Sequence, residues 1–436
     1  MRARLITGWL LVLTLLAGLA YAQEPPAPRL SLTDALDIAR RSNPDYVAAL
    51  NDRWAASRRV TSATASLFTP NATVSGNTYR SQEGTQTFGG FRVDVPGLSR
   101  SSWSLDLGYQ LSGATIANRG LQRAQLRATE EDIAGARTTL ETSVKQQYLN
   151  VLQAEAQADL ARRSIERATE NLNLARARYE VGQGTLIDVR RAEVEKNQAE
   201  VNLLRADQEV ENQTLRLFQQ LGVPAPQPAR VRLTDSFPVV EPQFTEQTLL
   251  EVALAENPTL RALRALEHAA RWGVRSANSL YLPTLSLSAG YGRFSQTQND
   301  TTFSGTNPWN LALQLSLPLY DGFQRNVQTA QARALQDDAR QAVRARELAV
   351  RAEVSAALRA VVAAYRTIGL QESNRRASSE ALELATQRYR VGSGTYIELL
   401  DARVAAERAA ADYVTAVYDY HKAIAALESA VGRPLR

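Results

Sequence analysis

Tyr179-Glu180-Val181-Gly182-Gln183-Gly184-Thr185-Leu186-Ile187-Asp188 recurs, without a gap, as Tyr389-Arg390-Val391-Gly392-Ser393-Gly394-Thr395-Tyr396-Ile397-Glu398. The same offset pairs Leu221-Gly222 with Val431-Gly432. Upstream, Asn43-Pro44 matches Asn257-Pro258, Phe68-Thr69-Pro70 matches Tyr281-Leu282-Pro283, and Ser112-Gly113 matches Asp321-Gly322. Matches in one conserved order at a period of about 210 residues, far above any solenoid repeat, read as a duplicated half-molecule. Five prolines from Pro224 to Pro242 mark the joint. The division is therefore a first repeat over 23–222, a linker over 223–245 and a second repeat over 246–436.

Proline spacing says what fills each repeat. None falls between Pro96 and Pro224, and none between Pro318 and Pro434, in stretches rich in Ala, Arg, Glu and Gln. Proline-free runs of that composition predict helical hairpins over about 113–222 and 322–432. A helix of about 67 residues extends on the order of 100 Å. Val354, Leu358, Val361, Tyr365 and Ile368 recur at coiled-coil spacing, and Leu140, Val144, Tyr148 and Val151 do the same in the first repeat. Short helices are expected from Leu32, capped by Ser31 or Thr33, and from Asn43-Pro44 to about Leu67.

Strands precede each long helix, over about 70–112 and 283–319. Trp103, Leu105, Leu107, Tyr109 and Leu111 alternate with Ser104, Asp106, Gly108 and Gln110. Leu285, Leu287, Ala289 and Tyr291 alternate with small polar residues, and so do Trp309, Leu311, Leu313, Leu315, Leu317 and Leu319. Period two with one apolar face fits a sandwich that buries that face, or an outer-membrane barrel that turns it to lipid. Strand lengths near ten residues and aromatic residues at strand ends fit the second. The weaker strand is Asn71–Arg80, and the segments 83–100 and 296–308 read as loops. Four strands cannot close a barrel, and open edges are not tolerated in hydrocarbon, so a membrane form needs two chains for eight strands or three for twelve.

Arg2 and Arg4, the apolar run Leu10–Leu19 and Ala20-Tyr21-Ala22 describe a cleavable export signal over 1–22. No later stretch approaches eighteen apolar residues, so membrane insertion must use strands. Cysteine is absent, which rules out disulfides, thiolate metal sites and an N-terminal lipidated cysteine. Fifty Lys and Arg stand against 45 Asp and Glu, too even a balance for a nucleic-acid binder. His268 and His421 are single residues within helical patterns and read as structural; Trp54 and Trp272, at matching places, read as packing. No nucleophile–base pair, phosphate loop or metal-spaced cluster appears, so neither an enzyme nor a cofactor or metal site is expected.

At the turns, Gly182, Gly184, Gly392 and Gly394 suit a reversal that uses positive φ. Thr185 and Thr395 stand at the following N-caps, with Asp188 and Glu398 three residues on, as in a capping box. Glu398 and Asp401, one turn apart, share a helical face.

Signal, strands, paired Asn-Pro helices and the doubled Tyr-x-Val-Gly-x-Gly-Thr-x-x-[Asp/Glu] turn together resemble the TolC-type outer membrane efflux proteins over nearly the whole mature chain. That resemblance implies a mixed α and β membrane protein, a homotrimer. Its twelve-stranded barrel would sit in the outer membrane and continue as a coiled-coil α-barrel across the periplasm. It also implies a passive exit duct for efflux or type I secretion that docks a periplasmic adaptor and an inner-membrane pump. On the same basis the turns carrying Tyr179, Gly182, Gly184, Thr185, Asp188, Tyr389, Gly392, Gly394 and Thr395 are the adaptor-binding tips, and Glu398 with Asp401 forms the periplasmic gate. The family's namesake has Arg where this chain has Gly394, so closing contacts must come from other residues, with Arg190, Arg191 and Arg390 as candidates. A non-channel envelope scaffold or adhesin built on the coiled coils is the competing reading.

Overall fold

The structure is a computed structural model that describes residues 29–226, 231–298 and 301–435. The expected export signal lies outside them. In chain order the elements are β1 (Arg29–Leu30), α1 (Leu32–Ser42), α2 (Pro44–Ala65), β2 (Asn71–Ser81), β3 (Gly84–Phe88), β4 (Phe91–Val95), β5 (Leu98–Leu111), α3 (Gly113–Glu180) and α4 (Leu186–Leu221). There follow β6 (Arg232–Leu233), α5 (Glu246–Glu256), α6 (Pro258–Asn278), β7 (Thr284–Gln298), β8 (Thr301–Ser316), α7 (Gln324–Arg390) and α8 (Tyr396–Val431). No helix among the described residues is long and apolar enough to cross a membrane. The chain packs as two units: one runs to Ala39 and adds Gln147–Pro238 and Ser378–Val414, the other holds Arg40–Gln146, Val239–Ala377 and Thr415–Arg436.

Both Asn-Pro pairs start helices for one reason. The Asn43 side chain accepts the Tyr46 amide at 3.0 Å ahead of α2, and Asn257 accepts the Leu260 amide at 3.1 Å ahead of α6. Proline follows at the first helical position, where no amide proton is needed. Ser31, not Thr33, caps α1: its hydroxyl accepts the Asp34 amide at 3.1 Å.

The second unit contains a four-stranded antiparallel sheet in the order β2-β5-β7-β8. Its register sets Val74, Leu105 and Tyr291 side by side, then Ala72, Leu107, Ala289 and Leu311, then Tyr109, Leu287 and Leu313, then Leu111, Leu285 and Leu315. Every one of these points to the same face, because directly opposed residues share a side. The other face carries Thr73, Asp106 and Asn310, then Gly108 and Ser288, then Gln110, Ser286 and Gln314. At Gly290 a methyl group would stand 2.7 Å from the Asn310 amide oxygen and 3.1 Å from the Asp106 carboxylate, so a larger residue there would push those side chains aside. The apolar face is left bare: Leu311, Leu313 and Leu315 are 62, 69 and 70 % exposed. None of the described residues covers it as a sandwich would.

Three sequence expectations are corrected. Residues 83–100 are not a loop: β3 and β4 pair across Gly89-Gly90, both at positive φ, which suits a two-residue hairpin turn. Strand β8 starts at Thr301, well inside the segment read as a loop. It ends at Ser316 rather than Leu319, since Pro318 has no amide to continue the ladder. Trp54 is exposed rather than packed, with Arg58 stacked 5.3 Å from its ring. Trp272 does pack: its indole lies on Gly120, where a methyl group would come within 2.4 Å of the ring. His421 is buried beside Tyr420.

In the first unit, β1 and β6 form a short parallel pair absent from the sequence reading. Buried Tyr148 fastens it, donating to Asp235 at 2.8 Å and lying 3.0 Å from the Leu30 carbonyl. Burial and the Asp235 carboxylate push the Tyr148 hydroxyl well above its ordinary pKa. Leu140, Val144, Tyr148 and Val151 are all buried, as the heptad pattern predicts. Val354, Val361 and Ile368 are buried too, whereas Leu358 and Tyr365 are half-buried.

Replacing Gly120 by Ala forces the Trp272 indole aside and is expected to cost about 1–3 kcal/mol, the usual range for overpacking. Gly76→Ala, whose added methyl meets nothing within 4 Å, serves as the control in a denaturation comparison.

Candidate functional site

The two turns are built alike at the backbone. Gly182 has φ +75° and Gly392 φ +81°. The Gln183 amide reaches back to the Arg178 carbonyl at 2.8 Å and the Gly182 amide to Tyr179 at 3.0 Å. Ser393 and Gly392 repeat the pattern on Arg388 and Tyr389 at 3.0 and 3.2 Å. This doubled closure of the last helical turn needs a left-handed residue, which glycine adopts without strain. Gly184 and Gly394 do not use positive φ, contrary to expectation. They are small because the chain doubles back on itself: a methyl group would lie 3.2 Å from the Tyr179 amide at Gly184, and 3.1 Å from the Arg388 Cβ at Gly394.

The caps differ. Thr185 and Asp188 form the full box, with the Asp188 amide on the Thr185 hydroxyl and the Thr185 amide on the Asp188 carboxylate, both at 3.2 Å. Thr395 accepts the Glu398 amide at 3.2 Å, and the reverse bond is replaced. The Glu398 carboxylate turns instead toward the Arg388 guanidinium, 3.8 Å away. Glu398 and Asp401 both remain exposed.

Tyr179 and Tyr389 occupy equivalent places and unequal surroundings: Tyr179 is 47 % exposed, Tyr389 only 4 %. Tyr389 sits edge-on to Tyr396 at 5.7 Å, in a cluster with Leu172, Ala175, Val189, Ala192 and Leu399 from all four long helices. After the first turn, Leu186 stands where Tyr396 follows the second, and Leu186 is exposed. Arg178, which sequence reasoning missed, ties the turns together. It donates to the Tyr389 carbonyl and, at 3.1 Å, to the Gln183 carbonyl, while its guanidinium lies 4.5 Å from the Tyr389 ring centre. The signal was its position directly before the quoted motif, mirrored by Arg388.

A second missed group lies above the turns. The Tyr396 hydroxyl donates to Glu195 at 2.8 Å, and Arg403 lies 3.2 Å from the same carboxylate. Ser164 donates to Glu407 at 2.7 Å, itself 3.8 Å from Arg403. The Arg403 and Glu195 side chains are 7 and 12 % exposed. Burial, then the hydrogen bond to the Glu195 carboxylate, pushes the Tyr396 hydroxyl far above its ordinary pKa. Of the arginines proposed as latches, Arg390 reaches Glu170 on α3 at 3.1 Å, whereas Arg190 pairs with Glu193 on its own helix at 2.7 Å. Arg191 lines a shallow cleft with Leu186, Ile187, Val194 and Leu400 and has no carboxylate partner among the described residues.

The sequence pattern described as "Outer membrane efflux protein" matches residues 35–223 and again 249–433. The chain belongs to the outer membrane efflux protein family. Within the family it is 25 % identical over 412 residues to the outer membrane protein TolC of Vibrio cholerae, covering 92 % of this chain and 90 % of that protein. It is 28 % identical over 342 residues to the outer membrane protein OprJ of Pseudomonas aeruginosa, covering 76 % and 69 %. The fold is similar to that of the Campylobacter jejuni CmeC outer membrane channel, with a TM-score of 0.76 over 92 % of this chain and 85 % of that one, at 19 % identity.

Arg403→Ala strands the Glu195 carboxylate in a dry site and is expected to cost about 3–5 kcal/mol, whereas Arg388→Ala removes an exposed pair worth at most about 1 kcal/mol. Hydrogen exchange of amides 186–200 reads the difference: faster exchange in the first variant and near-native rates in the second.

Proposed function

We propose that this chain is one subunit of a homotrimeric outer-membrane exit duct, a passive conduit in a tripartite efflux or type I secretion system. The observation that carries the reading is the sheet, in which four strands hold a bare apolar face, an opposite polar face and two unpaired edges, β2 and β8. An edge in hydrocarbon leaves backbone groups without partners, so the sheet must be completed by copies of itself. Three copies give twelve strands, with leucines toward lipid and Ser, Asn and Gln toward a wet lumen. The comparison with OprJ and TolC supports the same reading.

On this reading residues 1–22 are removed on export, and 23–222 and 246–436 are repeats joined by 223–245. The double match of the family pattern and the near-equal helices, 68 and 36 residues against 67 and 36, support a duplication. The coiled coils would continue the conduit into the periplasm. The turns with Tyr179, Gly182, Gly184, Thr185, Asp188, Tyr389, Gly392, Gly394 and Thr395 would meet a periplasmic adaptor, and an inner-membrane pump would supply the energy. Exposed Val181, Leu186, Ile187, Val391 and Ile397 give these turns an apolar surface to grip. Glu398 and Asp401 would form rings of three carboxylates that attract cations and restrict the closed end. Arg178 and Arg390 would hold it shut, in place of the arginine missing at Gly394. No catalytic step is part of this function.

Glu398→Ala combined with Asp401→Ala is expected to raise conductance and lower cation selectivity in a planar bilayer. Unchanged values would remove the gate assignment, and an absence of any channel in the wild type would return the protein to the scaffold reading.

A further inference from the structure

Beside the sheet, in the second unit, is a cleft of about 740 Å³ lined by five arginines and one carboxylate. Arg119, Arg123 and Arg127 stand one turn apart on α3, and Arg261, Arg264 and His268 face them from α6. Two of these charges are already answered: Arg261 pairs with Glu131 at 2.7 Å and Arg264 with Glu347 at 2.8 Å. Arg119, Arg123 and Arg127 have no carboxylate partner among the described residues, and the Arg119 Nε is shielded from solvent without a hydrogen-bond acceptor. Like charges at i, i+4 repel, and a row of three is destabilising unless something neutralises it. The remaining wall is apolar: Leu67, Ile116, Ala124, Ala265 and the Trp272 indole, seated on Gly120.

A row of unpaired guanidinium groups beside an apolar wall recognises an anion attached to a hydrocarbon body. Guanidinium forks match phosphate oxygens in particular. Leu67 lies four residues before β2, and Ile116 five residues after β5, so the cleft adjoins the root of the sheet. If the sheet crosses the bilayer as proposed above, that root is at headgroup level, where basic pockets meet lipid phosphates. We propose that this cleft binds the phosphate of an anionic phospholipid, with Arg119, Arg123 and Arg127 on the phosphate and Trp272, Ile116 and Leu67 against the chain. The bound phosphate neutralises the repulsion within the row, and the arginines anchor the sheet's depth in the membrane. Naming a lipid as the source rests on the duct reading, whereas the anion site does not.

The purified full chain in uncharged detergent is titrated with dihexanoyl phosphatidylglycerol, dihexanoyl phosphatidylcholine and inorganic phosphate by calorimetry. The expected result is binding of phosphatidylglycerol that weakens about tenfold or more in the R123Q/R127Q variant, both positions being exposed, and is unchanged in R366Q on α7. Equal binding of phosphatidylcholine, or wild-type affinity in R123Q/R127Q, overturns the site. Inorganic phosphate displacing phosphatidylglycerol at matched concentration overturns the lipid as source and leaves a free anion in its place. A chain that binds phosphatidylglycerol but conducts nothing in a bilayer overturns the duct and leaves the site standing.

Discussion

Unpaired backbone at the two edges of a four-stranded sheet is the constraint from which the rest follows. Strands β2 and β8 each carry a row of amides and carbonyls with no strand beside it among the described residues. In water such edges invite aggregation, and in hydrocarbon each open group costs several kcal/mol. The leucine stripe of β8 makes water the wrong solvent for this face. The proposed edge pairing between copies would answer both problems at once, since closure would remove the edges and lipid would cover the stripe.

The two hairpins are of nearly equal length, and the packing treats them differently. Tyr389 and Tyr396 enter a shared core that their counterparts Tyr179 and Leu186 do not join. The buried charges follow the same asymmetry, because Arg403 and Glu195 meet only where Tyr396 closes the site over them. Breaking a desolvated pair is costly, whereas the exposed Arg388–Glu398 contact gives way easily. Movement at the turns is therefore expected at the exposed contacts, with the buried network acting as a fixed base. Arg178, reaching from one turn to the backbone of the other, lies between these two regimes.

Arginine serves two purposes in this molecule. Along the outer faces of the helices it pairs with Glu and Asp at i, i+3 or i, i+4, as at Arg162–Asp159 and Arg271–Glu267. Beside the sheet, Arg119, Arg123 and Arg127 lack a carboxylate partner among the described residues and line a cleft with an apolar wall instead.

Periodicity alone determined much of this protein. The heptads of Leu140–Val151, the alternation of Trp103–Leu111 and the Asn-Pro helix starts are local patterns, and each found its expected element because the chain's own geometry enforces it. The family was legible for the same reason, since its turn motif is a backbone requirement written as Gly182 and Gly392. Strands β3 and β4 escaped because Gly89-Gly90 was read as loop composition rather than as a hairpin turn. The meeting of Glu195 with Arg403 could not be read from the sequence, because about two hundred residues separate them, and Arg178 was marked only by its place before the motif. Only the packing of four helices decides which tyrosine is buried, which arginine is paired and which carboxylate is left in water.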